Sequence, residues 1–405
     1  MTINTTVEGN KPKIDGIVHF WNLSSNVRIV LESSYKNKLI KKFLSKTKSV
    51  QQASKMLDVC IITMKKYLNK KNCSIKIETI IKLLKLIHDI QFTPESIEKK
   101  IIWIGDQRSY GINNPKLPLN FNCREGARFL AAICNDGWIS DNIYYSNTSA
   151  SLRNSVKKDT IAIFGGDKQM IHEWIKKKDQ YLSFPSIIRD TIILFTKFKG
   201  VKSENNPAVP TFILKTKQNI YGWIEQTIAD EGCVKHYPKL YRREIIWTRS
   251  FKKKLKTYKL HQDEKNMLNM IGIKYSIYIV GHYKTENGIQ KIRKAIRISN
   301  RLNIIKLREL ITIPDKRKDK LFTQLTKTFQ RYKEPLKVKE NIVKICKEKK
   351  YITSNLLKKE MKYRGTGSGN IWLKYYTNQG LIYLKKESYS RGIKGCVPAV
   401  YVLNS

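Results

Sequence analysis

Apolar residues recur at regular spacing along most of this chain, and the spacing changes from one segment to the next. Between Val27 and His88 the pattern is helical, with short loops between the helices. The residues that open this helical pattern are Ile29, Leu31, Tyr35, Leu39 and Phe43. We therefore predict that residues 27–90 form a small domain of helices.

The central segment, residues 123–313, carries one pattern twice. In each copy an apolar helix ends in an acidic residue and a glycine, and a tract with strand-like alternation follows. Asp136-Gly137 closes the first helix and Glu231-Gly232 closes the second. Their separation is the length of half a domain rather than that of a short repeat. We predict two αββαββα-like halves, residues 123–215 and 216–313, in a pseudo-two-fold relation.

The remaining segments are predicted to be connections and one further domain. Residues 1–26 form a polar lead-in, residues 91–122 form a linker rich in Pro and Gly with a short helix at Pro94–Lys100, and residues 314–335 form a basic linker. Residues 336–405 contain three helical runs and two strand-like runs, which predicts three helices and a two-stranded wing. The whole chain is thus predicted to be an α+β protein.

The charge of the chain indicates a polyanionic partner. Lys and Arg number 78 against 33 Asp and Glu, which gives a formal net charge of +45. An AT-rich genome would inflate lysine, but it would raise glutamate as well, and glutamate is not raised here. Nucleic acid neutralises such a charge through its phosphates, and the released counterions favour binding. Double-stranded DNA is therefore the expected partner.

Cysteine usage and hydropathy indicate the compartment. The seven cysteines include no C-x-x-C pair, which argues against a disulfide framework or a zinc ribbon and favours a reducing cytosol. The N-terminus lacks the apolar stretch of a signal peptide, and no run of about 18 apolar residues offers a membrane span. We expect a cytoplasmic, nucleoid-associated protein with no membrane partner.

The two acid-glycine pairs are the candidate chemical site. A glycine after a helix tolerates the left-handed conformation that ends many helices, so Gly137 and Gly232 are interpreted as helix stops. Asp136 and Glu231 then lie at the negative end of a helix dipole, where a carboxylate is favourable if it holds a cation. If the two helices pack side by side, the acids can bind Mg²⁺ and catalyse phosphodiester hydrolysis. The structural alternative is that both pairs are only turn sequences at helix ends.

These motifs resemble those of the LAGLIDADG homing endonucleases in their single-chain, two-motif form. The matching nonapeptides are FLAAICNDG (Phe129–Gly137) and IEQTIADEG (Ile224–Gly232), and the resemblance extends over residues 123–313. Residues 184–213 resemble the segment that joins the halves in archaeal, intein-type members. The resemblance implies that Asp136 and Glu231 are catalytic and bind a divalent metal, Mg²⁺, with water as the nucleophile.

The resemblance also implies where DNA would lie. The family's four-stranded saddle enters the major groove, which makes the strand residues Arg242, Arg243 and Arg249 candidate DNA contacts. The chain would be a monomeric, free-standing enzyme of a mobile genetic element. Gln226 and Thr227 depart from the family pattern, which favours small or apolar residues where the two helices touch.

A helix-turn-helix is predicted in residues 48–71, with Ala53 as the small residue of its first helix and Asp58 in the turn. The helix that follows it resembles the supporting helix of Cro/repressor-type domains. The residues of the second helix predicted to face inward are Ile61, Ile62, Met64 and Leu68. The candidate DNA contacts are Thr63, Lys65, Lys66 and Lys70. The alternative is an ordinary three-helix bundle with solvated lysines.

The C-terminal segment resembles a winged helix, with Gly369–Gln379 as its recognition helix. Asn370 and Lys374 on this helix are candidate DNA contacts. In the wing the candidates are Lys385, Lys386 and Arg391. The alternative is a winged helix that binds protein.

Three functions follow from these patterns. The first is a site-specific double-strand DNA endonuclease. The second is a transcription regulator built on a catalytically retired core, which Gln226 and Thr227 favour and the two retained acids disfavour. The third is an RNA-processing role, because phosphate binding does not distinguish the sugars, although the aromatic RNP1 motif of RNA-binding domains is missing.

Overall fold

A computed structural model describes residues 15–106, 111–176, 179–196, 202–237, 242–255, 257–330, 335–362, 366–390 and 396–404. The chain divides into two compact units, residues 1–326 and residues 327–405. Both units combine helices with small antiparallel sheets, so the predicted α+β class is confirmed. Within the described ranges, none of the helices combines the length and the apolar character that a membrane span needs.

The first part of the large unit joins helices to a four-stranded sheet. Its elements are β1 (Ile17–Val18), β2 (Arg28–Leu31), α1 (Ser33–Leu44), α2 (Val50–Leu57), α3 (Ile61–Asn69), β3 (Ile75–Lys76), α4 (Ile77–Ile87), α5 (Pro94–Glu98), β4 (Ile101–Gly105), β5 (Ile112–Asn113) and β6 (Leu119–Asn120). The sheet has the order β3-β2-β4-β5, and β1 pairs separately with β6. Helices α1 and α4 both contact α2, so the helices form one group beside the sheet.

Three predictions for this part are wrong, because strand pairing joins residues that lie far apart in the sequence. Ile29 and Leu31 lie in β2 rather than in a helix, and they pair with Ile104 and Ile101 of β4. Their spacing of two residues is the period of a strand, and the helical spacing begins only with α1. The predicted linker, residues 91–122, therefore contains three short strands besides α5, the short helix expected there, and the predicted lead-in contains β1.

The central part of the large unit repeats one αββαββα succession. The first copy contains α6 (Arg124–Asn135), β7 (Gly137–Ile139), β8 (Ile143–Ser146), α7 (Ala150–Phe164), β9 (His172–Lys176), β10 (Asp179–Phe184) and α8 (Ser186–Thr196). The short helix α9 (Lys202–Asn205) precedes the second copy. That copy contains α10 (Lys217–Glu231), β11 (Gly232–Tyr237), β12 (Arg242–Lys252), α11 (Lys259–Met270), β13 (Ser276–Lys284), β14 (Gln290–Ile298) and α12 (Arg301–Leu310). The sheet orders β7-β8-β10-β9 and β11-β12-β14-β13 are equivalent, so the predicted repeat of elements is confirmed.

Helices α6 and α10 pack against each other between the two halves. Gly222 permits the close approach, since a Cβ at this position would lie 2.4 Å from the carbonyl oxygen of Arg124. Gln226 and Thr227, which depart from the family pattern, are both fully buried on α10. The helices remain in contact although the Oε1 of Gln226 and the Oγ1 of Thr227 are buried with no hydrogen-bond partner among the described residues.

The segment predicted to be a basic linker, residues 314–335, forms helix α13 (Lys316–Gln330) instead. The carboxylate of Asp315 accepts a hydrogen bond at 2.7 Å from the backbone N–H of Lys318 in the first turn. Phe322 and Leu325 are fully buried on one side of the helix. The prediction failed because many lysines surround this narrow apolar stripe, which is nonetheless sufficient to bury a helix.

The C-terminal unit contains three helices and two pairs of strands. Its elements are α14 (Pro335–Lys349), α15 (Ser354–Glu360), α16 (Thr366–Asn378), β15 (Ile382–Lys386), β16 (Tyr389–Ser390), β17 (Cys396–Val397) and β18 (Val400–Leu403). Strand β15 pairs with β18 and β16 pairs with β17, all antiparallel. Ile342, Leu357 and Leu373 belong to a separate buried cluster inside this unit. The predicted three helices and terminal strand pair are confirmed.

Candidate functional site

The carboxyl ends of α6 and α10 meet, and the two predicted acids lie there together. Asp136 directly follows α6, and Glu231 is the last residue of α10. The side-chain amide of Asn135 donates to Asp230 at 3.3 Å. The guanidinium of Arg249 contacts both Asn135, at 2.6 Å, and Glu231, at 3.1 Å. One site therefore contains the carboxyls of Asp136, Asp230 and Glu231.

The glycines after the acids have a different role from the predicted one. Neither Gly137 nor Gly232 has a positive φ, and Gly232 is extended, with φ −87° and ψ 156°. A Cβ at Gly137 would lie 2.7 Å from the Cα of Ile133, and one at Gly232 would lie 2.5 Å from the carbonyl oxygen of Ile228. The predicted left-handed helix stop is therefore wrong. Glycine is needed because the chain leaves each helix by passing close to its last turns.

Asp136 is largely buried, and its main contact is a neutral side chain. The Nδ2 of Asn147 donates to its Oδ2 at 2.9 Å. Burial raises the pKa of this carboxyl above its ordinary value, whereas the hydrogen bond from Asn147 and the charges of Lys202, Lys318 and Arg249 act in the opposite direction. Asp136 forms no ion pair with any residue in the described part of the chain.

Asp230 is a third carboxyl at the site, and it is not among the residues predicted from the sequence. Its carboxyl accepts hydrogen bonds from the hydroxyl of Tyr145 at 2.7 Å and from the amide of Gln226 at 3.0 Å. Burial, and after it the charge of Asp136, raises the pKa of Asp230 well above its usual range. A signal was present, because Asp230 and Glu231 are consecutive acids, but the family resemblance gives a role only to the last one.

Glu231, in contrast, is paired with a buried arginine. Arg249 is only 4% exposed, and it contacts Glu264 at 3.3 Å as well as Glu231. The indole of Trp247 donates to Glu264 at 2.9 Å. Burial raises the pKa of the Glu231 carboxyl, and the charge of Arg249 lowers it. The prediction that Arg249 contacts DNA is wrong, since its side chain lies in the interior between two carboxylates.

The two predicted acids therefore have unlike partners at equivalent positions. The strand register pairs Gly137 with Tyr145 and Gly232 with Trp247. Asn147 and Arg249 each follow two residues later, so they occupy the same position in the two halves. A neutral amide contacts Asp136 where a guanidinium contacts Glu231, and the charge at the site is not symmetric.

Two lysines from outside the motifs bind the carbonyl groups at the two helix ends. The Nζ of Lys202 donates to the carbonyl of Asn135. The Nζ of Lys318 donates to the carbonyls of Ile228 at 3.3 Å and Ala229 at 2.5 Å. Burial lowers the pKa of both lysines, while the negative end of each helix dipole favours their charge. These lysines were not predicted because they come from α9 and α13, which are distant in sequence from either motif.

The second sheet is cationic on the side that faces away from the helices. On β12, Ile245 and Trp247 are buried on the helix side, and alternate residues face away. By the register, the basic residues on the side that faces away are Lys235, Lys252, Lys291, Arg293 and Arg297. Glu244 lies among them and pairs with Lys235 at 3.1 Å and with Arg297 at 2.5 Å. We call this side of the sheet the cationic face, and its charge suits a phosphate backbone.

The other two predicted strand arginines lie near the start of β12. Arg243 is half-exposed and, by alternation, lies on the same side of the strand as Ile245, the helix side. Strand β12 begins at Arg242, whose side chain lies outside the described part of the chain.

Helices α2 and α3 form the predicted helix pair with a tight turn. The hydroxyl of Ser49 accepts a hydrogen bond from the backbone N–H of Gln52 at 3.1 Å and so caps α2. Ala53 is fully buried. Asp58 ends α2 in the left-handed conformation, with φ 57° and ψ 48°.

The buried face of α3 differs in part from the prediction. Met64 is buried as predicted and Leu68 is half-buried, but Ile61 and Ile62 are exposed, Ile62 by 67%. Tyr67 is buried in their place. The reason is that the inward stripe of this short helix passes through Met64 and Tyr67, three residues apart.

The outer face of α3 carries most of the predicted contact residues. Lys65, Lys66 and Asn69 are exposed, and together with Ile62 they lie on one side of the helix. Thr63 is half-buried, with its hydroxyl 3.1 Å from the Sγ of Cys60. Lys70 is exposed and caps the end of the helix.

The predicted contacts of the C-terminal unit are exposed where they are described. Asn370 and Lys374 are exposed on α16, and Lys385 and Lys386 are exposed on β15. Arg391 lies outside the described residues.

The described residues include no group of three or more His, Cys, Asp or Glu side chains that could hold a metal ion. No protein-family model matches the chain, and no curated protein matches its sequence.

Proposed function

We propose that this chain is a site-specific double-strand DNA endonuclease of the LAGLIDADG type, which hydrolyses phosphodiester bonds with Mg²⁺. The observation that carries the proposal is the meeting of Asp136 and Glu231 at adjoining ends of α6 and α10, each at the start of one of two equivalent halves. A duplex has two strands to cut, and the two halves supply one acid for each. The enzyme would act as a monomer on nucleoid DNA.

The carboxyls at the site suit a hydrated Mg²⁺ ion better than a metal held by protein ligands alone. Mg²⁺ takes oxygen ligands and keeps several waters, so one or two carboxylates and a substrate phosphate are sufficient. The charge of Asp136 raises the pKa of Asp230, and a cation between like charges relieves that repulsion. When bound, such an ion would activate water and stabilise the leaving oxygen. Glu231 would join Asp136 as a ligand by exchanging Arg249 for the cation.

The residues around the carboxyls would bind and orient the DNA. Lys202 and Lys318 add positive charge beside the acids, which favours an incoming phosphate. The cationic face would hold phosphates of the backbone, and these contacts fix the position of the duplex. The exposed lysines on α3 and in the C-terminal unit would lengthen the footprint and raise affinity through additional linked contacts.

One observation favours the second function, a transcription regulator on a catalytically retired core. Glu231 is already neutralised by Arg249, and Glu264 holds Arg249 from the other side. In such a protein the acids would contribute to folding and DNA binding would remain. The surroundings of Asp136 favour an active enzyme instead, because its main partner is a neutral amide that does not neutralise its carboxylate.

The test is cleavage of a randomised-site or genomic DNA library by the wild type and by the double variant Asp136→Asn/Glu231→Gln, with Mg²⁺ and with Ca²⁺. We expect Mg²⁺-dependent double-strand cuts that disappear in the double variant while binding is retained. Asp141→Asn, a change at an exposed acid outside the site, is the matched control and should cleave normally. Tight, sequence-selective binding without cleavage in any metal would reject the enzyme and leave the regulator.

A further inference from the structure

The first sheet, like the second, has one side that faces away from the helices, and aromatic rings cover it. On the helix side of β7 and β8, Ile139, Ile143 and Tyr145 are buried. Four rings lie on the opposite side of the sheet. Two are at the alternate positions of β7 and β8, and two are at the positions of β9 and β10 that the register places beside them. We call these rings the aromatic face: Trp138, Tyr144, Trp174 and Tyr181.

The four rings form two stacked pairs. Trp138 and Tyr144 stack with ring centroids 4.7 Å apart and an interplanar angle of 18°. Trp174 and Tyr181 stack at 5.3 Å and 22°. Rings of different pairs meet edge to face, with centroids 5.6 Å apart in both cases. Each of the four residues is partly exposed, so an ordered array of π surfaces reaches the solvent.

The fold does not require this array. Because the two sheets share their strand order and the register of the first strand pair, each ring has an equivalent position in the second sheet. The residues at these positions, in the same order, are Cys233, Ile246, Tyr278 and Ala295. The second sheet thus forms with one ring where the first has four, and the aromatic face belongs to the first half alone.

We propose that the aromatic face binds unpaired nucleobases by stacking. The chain then binds its nucleic acid in two ways: the cationic face contacts phosphates, and the aromatic face contacts unstacked bases. Both faces belong to the same compact unit. The proposal rests on the proposed function only in requiring that the chain binds nucleic acid. It adds that the preferred substrate is a duplex with a locally unpaired segment, or a loop.

The chemistry of the aromatic face selects a base over the other parts of a nucleic acid. Unpaired bases present their flat faces, to which aromatic side chains stack without regard to sequence. Bases in a duplex are already stacked on one another, so the duplex presents only base edges and backbone phosphates. Among the described side chains of this face there is no Lys or Arg to bind phosphate, and His172 extends the ring array 5.9 Å from Trp174.

Charge argues against an ordinary protein as the occupant. The chain carries a net charge of +45, which favours a polyanion. Nucleic acid is the polyanion that also offers large π surfaces. The cationic face, in the same compact unit, supplies phosphate attraction.

The experiment measures the affinity of the whole chain for three probes: a paired duplex, the same duplex with a bubble of about four unpaired nucleotides, and an RNA hairpin with the same nucleotides in its loop. A 2-aminopurine in the unpaired segment reports stacking by loss of fluorescence. We expect the wild type to bind the bubble or the loop about ten-fold or more tightly than the duplex, since one stacked base contributes an effect of this size. The tighter of the two unpaired probes identifies DNA or RNA as the source of the bases.

The variant Trp174→Leu/Tyr181→Leu removes one stacked pair. It should lose the preference for unpaired probes and the 2-aminopurine signal, and it should bind the paired duplex as the wild type does. Tyr278→Leu, at the equivalent position of the second sheet, is the matched control and should retain the preference. Trp174→Phe keeps a ring and should retain most of the preference for unpaired probes. The test therefore does not depend on a single variant, which could fold poorly.

Equal affinity of the wild type for paired and unpaired probes would overturn the inference and leave the proposed function standing. So would an equal loss of affinity for all probes in Trp174→Leu/Tyr181→Leu. A wild type that is dimeric by sedimentation and becomes monomeric in this variant would assign the aromatic face to a second copy of the chain. Failure of the wild type to bind any probe would instead reject nucleic-acid binding, and with it both proposals.

Discussion

Arg249 is surrounded by protein, and two carboxylates rather than water balance its charge. Glu264, which is 0% exposed, accepts hydrogen bonds from Arg249 and Trp247, and Glu231 lies on the other side of the guanidinium. Removing one partner of a buried ion pair leaves an uncompensated charge, at a cost of about 3–5 kcal/mol. We expect Arg249→Met to lower the free energy of unfolding, measured by urea denaturation, by about this amount.

Two further variants test whether the unpaired carboxylate causes the loss. Arg249→Met/Glu264→Gln should recover part of the stability, because the fully buried carboxylate is then neutral and only the partly exposed Glu231 lacks its partner. Lys100→Met breaks the exposed pair of Lys100 and Glu32, whose charged atoms are 3.1 Å apart, and should cost less than about 1 kcal/mol. Equal losses in Arg249→Met and Lys100→Met would contradict the importance given to burial.

His261 gives the fold a dependence on pH. Burial lowers the pKa of His261 to about 4, against 6.5 for an ordinary histidine, and its Nε2 has no hydrogen-bond partner among the described residues. The unfolded chain therefore takes up a proton on acidification before the folded chain does. The stability linked to this residue is complete above about pH 6.5 and is lost as the pH falls toward 4.

We expect the wild type to lose about 2 kcal/mol more of its unfolding free energy than His261→Gln does, between about pH 7.5 and pH 4.5. Urea denaturation of both proteins at the two pH values measures this difference. Any loss of packing in the variant affects both pH values and cancels in the comparison. The same acid-induced loss in both proteins would show that His261 is not the cause.

The individual residues of the site were predictable only where the chain itself signals them. Asp136 and Glu231 could be selected because each precedes a glycine at the end of an apolar helix. Lys202 and Lys318 could not, because no local pattern shows which of many lysines folds back onto a helix end. Arg249 looked like a surface arginine of a strand, and only its contacts reveal that it is an internal countercharge.

The junction between helix and strand is the element that each half uses to place its acid. A Cβ at Gly137 would lie 2.7 Å from the Cα of Ile133, and backbone atoms cannot move aside as a flexible side chain can. We expect Gly137→Ala to cost about 1–3 kcal/mol of unfolding free energy, as overpacking does, and to displace Asp136. Gly281→Ala is the control, because a Cβ there meets nothing within 4 Å, and it should be nearly neutral in thermal unfolding. Equal effects of the two changes would contradict this account.

Helix α3 presents Lys65 and Lys66 on its exposed side. If this side lies along DNA, each lysine that contacts a phosphate adds about 0.9 to the slope of log affinity against log salt concentration. Lys65→Gln/Lys66→Gln should therefore weaken binding to all sequences and reduce the slope by about 2. Lys38→Gln/Lys85→Gln makes the same change in charge at exposed positions on α1 and α4. If both variants reduce the slope alike, α3 has no special role.

Elements with strong local periodicity were predictable, and elements defined by distant partners were not. The αββαββα succession, α2 and α3, and the terminal strand pair could all be predicted from spacing and turn residues. Strand β2 could not, because its partner β4 lies about 70 residues away and its four residues are too few to separate strand from helix. Helix α13 was missed because only a narrow apolar stripe marks it.

At the scale of the whole molecule, two halves with the same backbone order differ in the partner of their acid and in the side chains on the outer face of their sheet. The first half offers an acid with a neutral partner and an aromatic sheet face. The second offers an acid paired with Arg249 and a cationic sheet face. We infer that the halves contact unlike parts of one substrate.

The C-terminal unit has a hydrophobic core of its own. Residues 327–405 form their own compact unit, and their buried cluster includes Ile342, Leu357 and Leu373. Exposed on α16 are Asn370, Lys374 and Ile371, the last by 70%. This exposed side of α16 carries the predicted contact residues Asn370 and Lys374, and the two partners expected for it are DNA and protein.

Deletion of residues 335–405 distinguishes a DNA partner of this unit from a protein partner. If the unit binds DNA, its loss removes a linked second contact, and affinity should fall by about 10²–10⁴-fold, because a tethered module binds at high effective concentration. Cleavage at saturating protein should persist, since the acids and both lysines of the site precede residue 335. Electrophoretic shift and cleavage assays on the truncated and full-length chains measure both effects.

Lys374→Gln/Lys385→Gln in the full chain should reproduce a part of the loss without any truncation. Unchanged affinity in the truncated chain would instead assign this unit to a protein partner.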